Sequence, residues 1–154
     1  MSDIRTEFVM EMRLSVAMPL TPIGQSQYGD RRIARVTDGT FEGPKLSGTV
    51  HDGGGDWIIN RPDGVTQLDV RLTMETADGA LIYTTYTGLR HGPAEVMAKL
   101  AAGEAVDPAS YYFRTTPYFE TASDGPYAWM NKACFVGTGH REPTGPVYRV
   151  FQVL

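Results

Sequence analysis

Two stretches of this sequence gather side chains that could do chemistry. Between Gln67 and Glu75 the polar residues Asp69, Arg71, Thr73 and Glu75 alternate with Leu68, Val70, Leu72 and Met74. If the polar side lined an enclosed space, its carboxylates and guanidinium would shift each other's pKa values strongly. Facing water, the same residues would form a cross-strand charge ladder. The second stretch is Tyr111 to Thr121, followed by Tyr127, Trp129 and Asn131. Its rings offer area to a planar ligand, Arg114 suits a carboxylate or enolate, and Glu120 suits proton transfer. Packed on a core, this stretch would instead be a strand pair with Arg114 and Glu120 in a structural ion pair.

Other familiar chemistry is missing. His51, His91 and His140 lie far apart with no paired ligand spacing and no thiolate cluster, so no metal site is expected. The run His51-Asp52-Gly53-Gly54-Gly55-Asp56 lacks the Lys-Ser/Thr of a phosphate loop and opens onto a strand, which makes it a hairpin loop. Cys134 sits in the apolar run Ala133-Cys134-Phe135-Val136 and is expected to pack as a small hydrophobe.

The elements that must position these residues are strands. Phe8, Met10, Met12, Leu14 and Val16 share one face of a segment from Thr6 to Ala17. Further strands are expected over 31–36, 46–50, 57–60, 67–75, 81–86, 111–115, 129–138 and 147–153. In the last but one, Trp129, Asn131, Ala133 and Phe135 would point to the same side. Asp-Gly pairs at 38–39, 52–53, 63–64, 78–79 and 124–125 suit type I′ hairpin turns. Pro93 to Ala102 breaks the alternation: Val96 and Leu100 are four apart, Glu95 and Lys99 likewise, and Gly103 follows as a stop. These features predict one short helix beside about nine antiparallel strands in a closed or nearly closed barrel, whose closure removes exposed edges.

With 154 residues, 42% of them apolar, the chain is expected to form one domain, residues 1–154, with a core that needs no disulfide or metal. A net charge of −4 without a Lys/Arg block argues against nucleic acid as a partner. No stretch approaches the ~18 apolar residues of a membrane span, and the start lacks a signal-peptide layout, so a cytoplasmic location is expected.

An ordered series of motifs resembles a known family. It comprises Gly55-Asp56-Trp57, Asp63-Gly64, Leu68-Asp69-Val70-Arg71, Glu75-Thr76-Ala77-Asp78-Gly79-Ala80-Leu81-Ile82-Tyr83, Tyr112-Phe113-Arg114-Thr115-Thr116-Pro117, Phe119-Glu120-Thr121 and Tyr127-Ala128-Trp129-Met130-Asn131. From about Phe8 to Val153 the chain is similar to the large family of bacterial and fungal single-domain proteins known only as a domain or protein family of unknown function. The resemblance implies a calycin-like antiparallel β-barrel with a central cavity comparable to those of lipocalins and cofactor-free barrel cyclases. It carries no reaction, and the matching positions, among them Asp56, Trp57, Asp69, Arg71, Phe119 and Asn131, come without assigned roles. The loop 137–146 resembles the family's variable connection.

The expected function is therefore a cofactor-free isomerase, cyclase, dehydratase or lyase. Its substrate would be a small hydrophobic or aromatic, oxygenated metabolite bound in a central pocket. Glu75 or Glu120 would be the acid/base, Arg114 and Asn131 would stabilise an oxyanion, and Trp57, Tyr83, Phe113 and Trp129 would hold the ring. Asp56 and Arg71 are further expected ligand-binding positions. Two alternatives stand beside this: a lipocalin-like binding protein without chemistry, and an oligomeric accessory protein, with a homodimer as the default assembly.

Overall fold

Period-two alternation builds the wall of a barrel. The computed structural model describes residues 3–154 and contains ten strands. They are β1 (Thr6–Val16), β2 (Thr21–Ser26), β3 (Gly29–Glu42), β4 (Ser47–Val50), β5 (Gly54–Asn60), β6 (Thr66–Thr76), β7 (Leu81–His91), β8 (Tyr112–Thr121), β9 (Cys134–Glu142) and β10 (Gly145–Val153), with one helix, α1 (Ala94–Ala101), between β7 and β8. Every pairing is antiparallel, in the order β1-β10-β9-β8-β7-β6, then β4 and β5 in turn beside β3. Pairing of β3 with β1 closes the ring, and β2 pairs with β3.

The inner face is apolar and tightly filled. Leu68, Val70, Leu72 and Met74 of β6 are all buried, while Asp69, Arg71, Thr73 and Glu75 point outward. They share one core with Met10, Met12 and Leu14 of β1 and with Ile82 of the neighbouring β7. Met10, Met74 and Ile82 are 0% exposed, so side chains occupy the barrel's middle where a central cavity was expected. Flexible methionines suit this irregular space, and each fully buried side chain of this size contributes about 2 kcal/mol of transfer energy.

Several local expectations are corrected. A register shift between Phe8 and Met10 turns Phe8 outward, where its ring packs at 5.7 Å from that of Phe151 under the Arg149 guanidinium. The positive-φ positions are all glycines, including Gly53, Gly64 and Gly79. The Asp before each has negative φ, so these turns are not type I′, which needs both central residues positive. Asp38-Gly39 lies inside β3 and makes no turn. Cys134 is exposed at the start of β9 and does not pack as a core residue. The segment Ala128–Lys132 is a 3₁₀ turn, so β9 begins only at Cys134.

That turn seals one end of the barrel. It buries Met130, and Asn131 clamps the Thr121 backbone in both directions: its Oδ1 accepts from the amide and its Nδ2 donates to the carbonyl, both at 2.9 Å. The Tyr127 hydroxyl donates to Asp78 Oδ1 at 2.8 Å, while Phe119 and Phe135 meet edge-to-face at 4.9 Å beneath Trp129. Helix α1 lies at the opposite end, where β7 stops and β8 starts. Its Val96, Met97 and Leu100 pack half-buried against the core, as their spacing predicts.

Candidate functional site

Among the described residues, the titratable groups on the inner face gather from the barrel's middle to the end beneath α1. Asp56 of β5 stands level with Ala34 of β3 and Val70 of β6, both buried. The β5–β6 ladder pairs Asp56 with Val70 and resumes at Ile59 with Gln67, so two pairs are skipped between them. The Asp56 side chain fills this gap, and its Oδ1 accepts the Asp69 backbone N–H at 3.0 Å. Burial pushes the Asp56 carboxyl up to about 6, an effect that the Asp69 amide and the charge of Arg90 oppose. A carboxyl in this range exchanges protons near neutral pH, as a general acid or base must.

Around it stand phenols and guanidiniums. Tyr86 of β7 and Tyr148 of β10 are buried, with rings edge-to-face at 5.2 Å, and Phe113 meets Tyr148 at 5.5 Å. Burial, reinforced by the partner phenol, raises the Tyr86 hydroxyl well above its ordinary value, and burial also raises that of Tyr148. Both phenols are therefore neutral at physiological pH and able to donate hydrogen bonds. Gly139 makes the aromatic packing possible, because a Cβ there would lie 2.9 Å from the Phe113 ring. Arg90, four residues along β7 from Tyr86, rests its guanidinium 5.5 Å from the Phe113 ring centre. Burial lowers its pKa, and the charge of Arg141 lowers it further. Arg141 sits at the rim of β9, with its backbone N–H bonded to the Tyr111 hydroxyl at 3.0 Å.

A concavity lies on the outer wall. A groove of about 790 Å³ runs over Leu89, Tyr112, Arg114, Thr116, Val136 and Thr138. It lies where β8 and β9 pair at only two positions, Arg114 with Thr138 and Thr115 with Gly137. Arg114 Nη1 donates to the Phe113 carbonyl at 2.9 Å, and its guanidinium stands 5.3 Å from the Tyr112 ring centre. No Asp, Glu or His lines this groove, which leaves it without a group for proton transfer.

The structure separates most of the residues singled out from sequence. Asp56 and Phe113 face inward at the mouth. Arg114 lies in the outer groove. Glu75 is outside, 3.6 Å from His51, and Arg71 donates to the Tyr83 hydroxyl at 3.3 Å on the outer wall. Trp57 and Glu120 are exposed. Trp129 and Asn131 belong to the sealed end, away from Asp56. Glu75, Glu120, Arg114 and Asn131 thus do not meet, and neither glutamate is buried. Sequence reasoning missed Tyr86, Arg90, Arg141 and Tyr148. Tyr86 and Arg90 share the parity of buried Ile82 and Thr84, which is the signal that would have found them.

Fold and site together define a class: all-β barrels that keep their buried titratable groups at one mouth. Within it, the chain belongs to the family described as "Protein of unknown function (DUF3237)", whose model matches residues 4–153. A UPF0311 protein of Rhodopseudomonas palustris is 36% identical over 151 residues, covering 98% of this chain and 97% of its own. The crystal structure of a conserved protein of unknown function from the same species is similar over 100% of both chains, with a TM-score of 0.92 and 36% identity. The fold alone extends to an enzyme from Penicillium herquei, with a TM-score of 0.74 at 23% identity over 99% of this chain and 96% of that one. Among the described residues no helix is long and apolar enough to cross a membrane.

Proposed function

We propose that this chain is a cofactor-free enzyme of proton transfer, acting at the mouth of the barrel on a small aromatic or unsaturated oxygenated metabolite. The reaction class is isomerisation, cyclisation, dehydration or a related lyase step. The observation that carries this reading is the Asp56 carboxyl, held near pH 6 by burial beside two neutral phenols. Largely ionised at pH 7, Asp56 takes a proton from carbon or hydroxyl and returns it elsewhere on the same molecule. The phenols and the Arg90 guanidinium face the oxygen on which negative charge develops, in a setting of low dielectric. The role given from sequence to Glu75 and Glu120 passes to Asp56, because both glutamates face water. Fold-level likeness to the Penicillium herquei enzyme sets no reaction for this chain.

A thermal-shift screen of phenolic acids, enones, hydroxy acids and fatty acids tests the reading, since a ligand that prefers the native state raises the melting temperature. Each hit is then incubated with wild type and with Asp56→Asn while product is followed by mass spectrometry. Turnover by wild type that is lost in Asp56→Asn, with a pH limb near 6, is the expected result. Binding without product in any class would make the protein a carrier and sink the enzymatic reading.

A further inference from the structure

We propose that Arg90 and Arg141 form an anion subsite at the mouth, so that the metabolite handled there carries a carboxylate beside the ring or double bond presented to Asp56. This deepens the proton-transfer reading and rests on it for the neighbouring role of Asp56.

The argument starts from an unmet donor. Arg90 Nε is buried with no hydrogen-bond partner among the described residues. A guanidinium offers five N–H donors and no acceptor, and a buried donor left unmet is costly. Elsewhere the chain avoids this. Arg13, Arg32, Arg35, Arg61 and Arg149 all pair with Asp or Glu on the outer surface. Arg31, Arg71 and Arg114 bond carbonyl or hydroxyl oxygens instead, whereas Arg90 leaves a buried Nε unmet, and Arg141 shares its place. Arg90 stands over the Phe113 ring, and that ring packs against Gly139, two residues before Arg141 on the same face of β9. Tyr111, two residues before Phe113, holds the Arg141 backbone.

Two like charges are therefore gathered without a carboxylate to bridge them. Arg141 lowers the stability of the charged form of Arg90, an effect second only to burial. An anion between them relieves both the repulsion and the orphaned Nε. Asp56 acts on Arg90 through charge but forms no ion pair with it, so the neutralising group has to come from outside. A carboxylate suits the site better than a spherical ion, because it accepts two parallel N–H bonds from a guanidinium fork while Phe113 and the half-buried Val96 and Leu100 of α1 offer apolar surface to its ring.

The test uses the full chain and matched probes: benzoate, 4-hydroxybenzoate and cinnamate, each against its methyl ester, with inorganic phosphate as a control for charge alone. Calorimetry gives affinity, and NMR of the arginine Nε–H groups reports the site directly. The expected result is saturable binding of at least one carboxylate, about tenfold or more tighter than its ester, with a shifted Arg90 Nε–H resonance. Arg90→Met and Arg141→Met should each weaken binding about tenfold, and Arg90→Lys should lose less than Arg90→Met. Melting curves check folding, and Arg141→Met keeps the test decisive should Arg90→Met fail to fold. The subsite is overturned if no carboxylate binds up to about 10 mM, if acid and ester bind alike, or if both methionine variants bind as wild type.

Asp56→Asn separates this proposal from the one it rests on. Carboxylate binding retained in wild type and Asp56→Asn, with no turnover by either, keeps the subsite and removes the enzyme. Turnover that needs Asp56 yet ignores the ester substitution keeps the enzyme and removes the subsite.

Discussion

The two ends of the barrel obey the same hydrogen-bonding rules and reach opposite outcomes. At the sealed end Asn131 meets both polar groups of the Thr121 backbone, Tyr127 meets Asp78, and Met130 fills the space beneath. At the mouth a carboxyl is held partly charged by burial, two guanidiniums lack counter-ions, and one buried N–H has no acceptor. One end closes its own polar account; the other leaves a buried donor unmet, which the proposed ligand would complete. On the proposed reading, stability and chemistry are spatially divided in a wall made of continuous strands, so each should be alterable with limited effect on the other.

Substitutions at the two ends can break that division or sharpen it. The largest effect is expected for Met130→Ala, which opens a cavity in the plug. It should cost about 3 kcal/mol in urea unfolding while leaving probe binding per folded molecule unchanged. Loss of binding in the folded variant would show the ends to be coupled.

Next comes Asp56→Asn, with the opposite sign. Because folding raises this carboxyl to about 6, the native state holds its proton more tightly than the unfolded chain. Wild-type stability therefore falls as pH rises from about 4 to about 6 and is level above that. Asparagine keeps the acceptor for the Asp69 amide and removes the charge, so at pH 8 the variant should be more stable by up to about 2 kcal/mol, with the gain gone near pH 4. Equal stabilities at pH 8 would mean that Asp56 is not held out of water.

Asn131→Leu should cost about 1 kcal/mol, since its two hydrogen bonds are exposed to solvent. Smallest of all is Glu120→Gln on the outer wall, expected within about 0.5 kcal/mol of wild type in stability and unchanged in turnover.

How much of this was legible in the sequence depends on which signal each element carried. Strands β1 and β6 and helix α1 announced themselves through strict periodicity, and α1 was bounded to within a residue by Pro93 and Gly103. Strand β2, Thr-Pro-Ile-Gly-Gln-Ser, was missed because it buries no face and so has no alternation to read. The 3₁₀ plug reads as a strand in the sequence because Trp129, Asn131, Ala133 and Phe135 alternate by coincidence. The site was harder. On β7 and β8 both faces carry rings, so composition cannot choose Tyr86 over Tyr83 or Phe113 over Tyr112. Arg90 and Arg141 stand near strand ends, where a charged residue ordinarily meets water. Asp56 and Phe113 were singled out, but the proton-transfer role went to Glu75 and Glu120, since nothing in one sequence shows which carboxylate is desolvated.

The gap in the β5–β6 ladder has a spectroscopic consequence. Because the Asp69 amide leaves the sheet to bond Asp56, one backbone proton is tied to the charge of one acid. Its chemical shift becomes a titration curve for Asp56 readable in an amide spectrum of the unaltered protein, and a ligand that draws the carboxyl away would register there first.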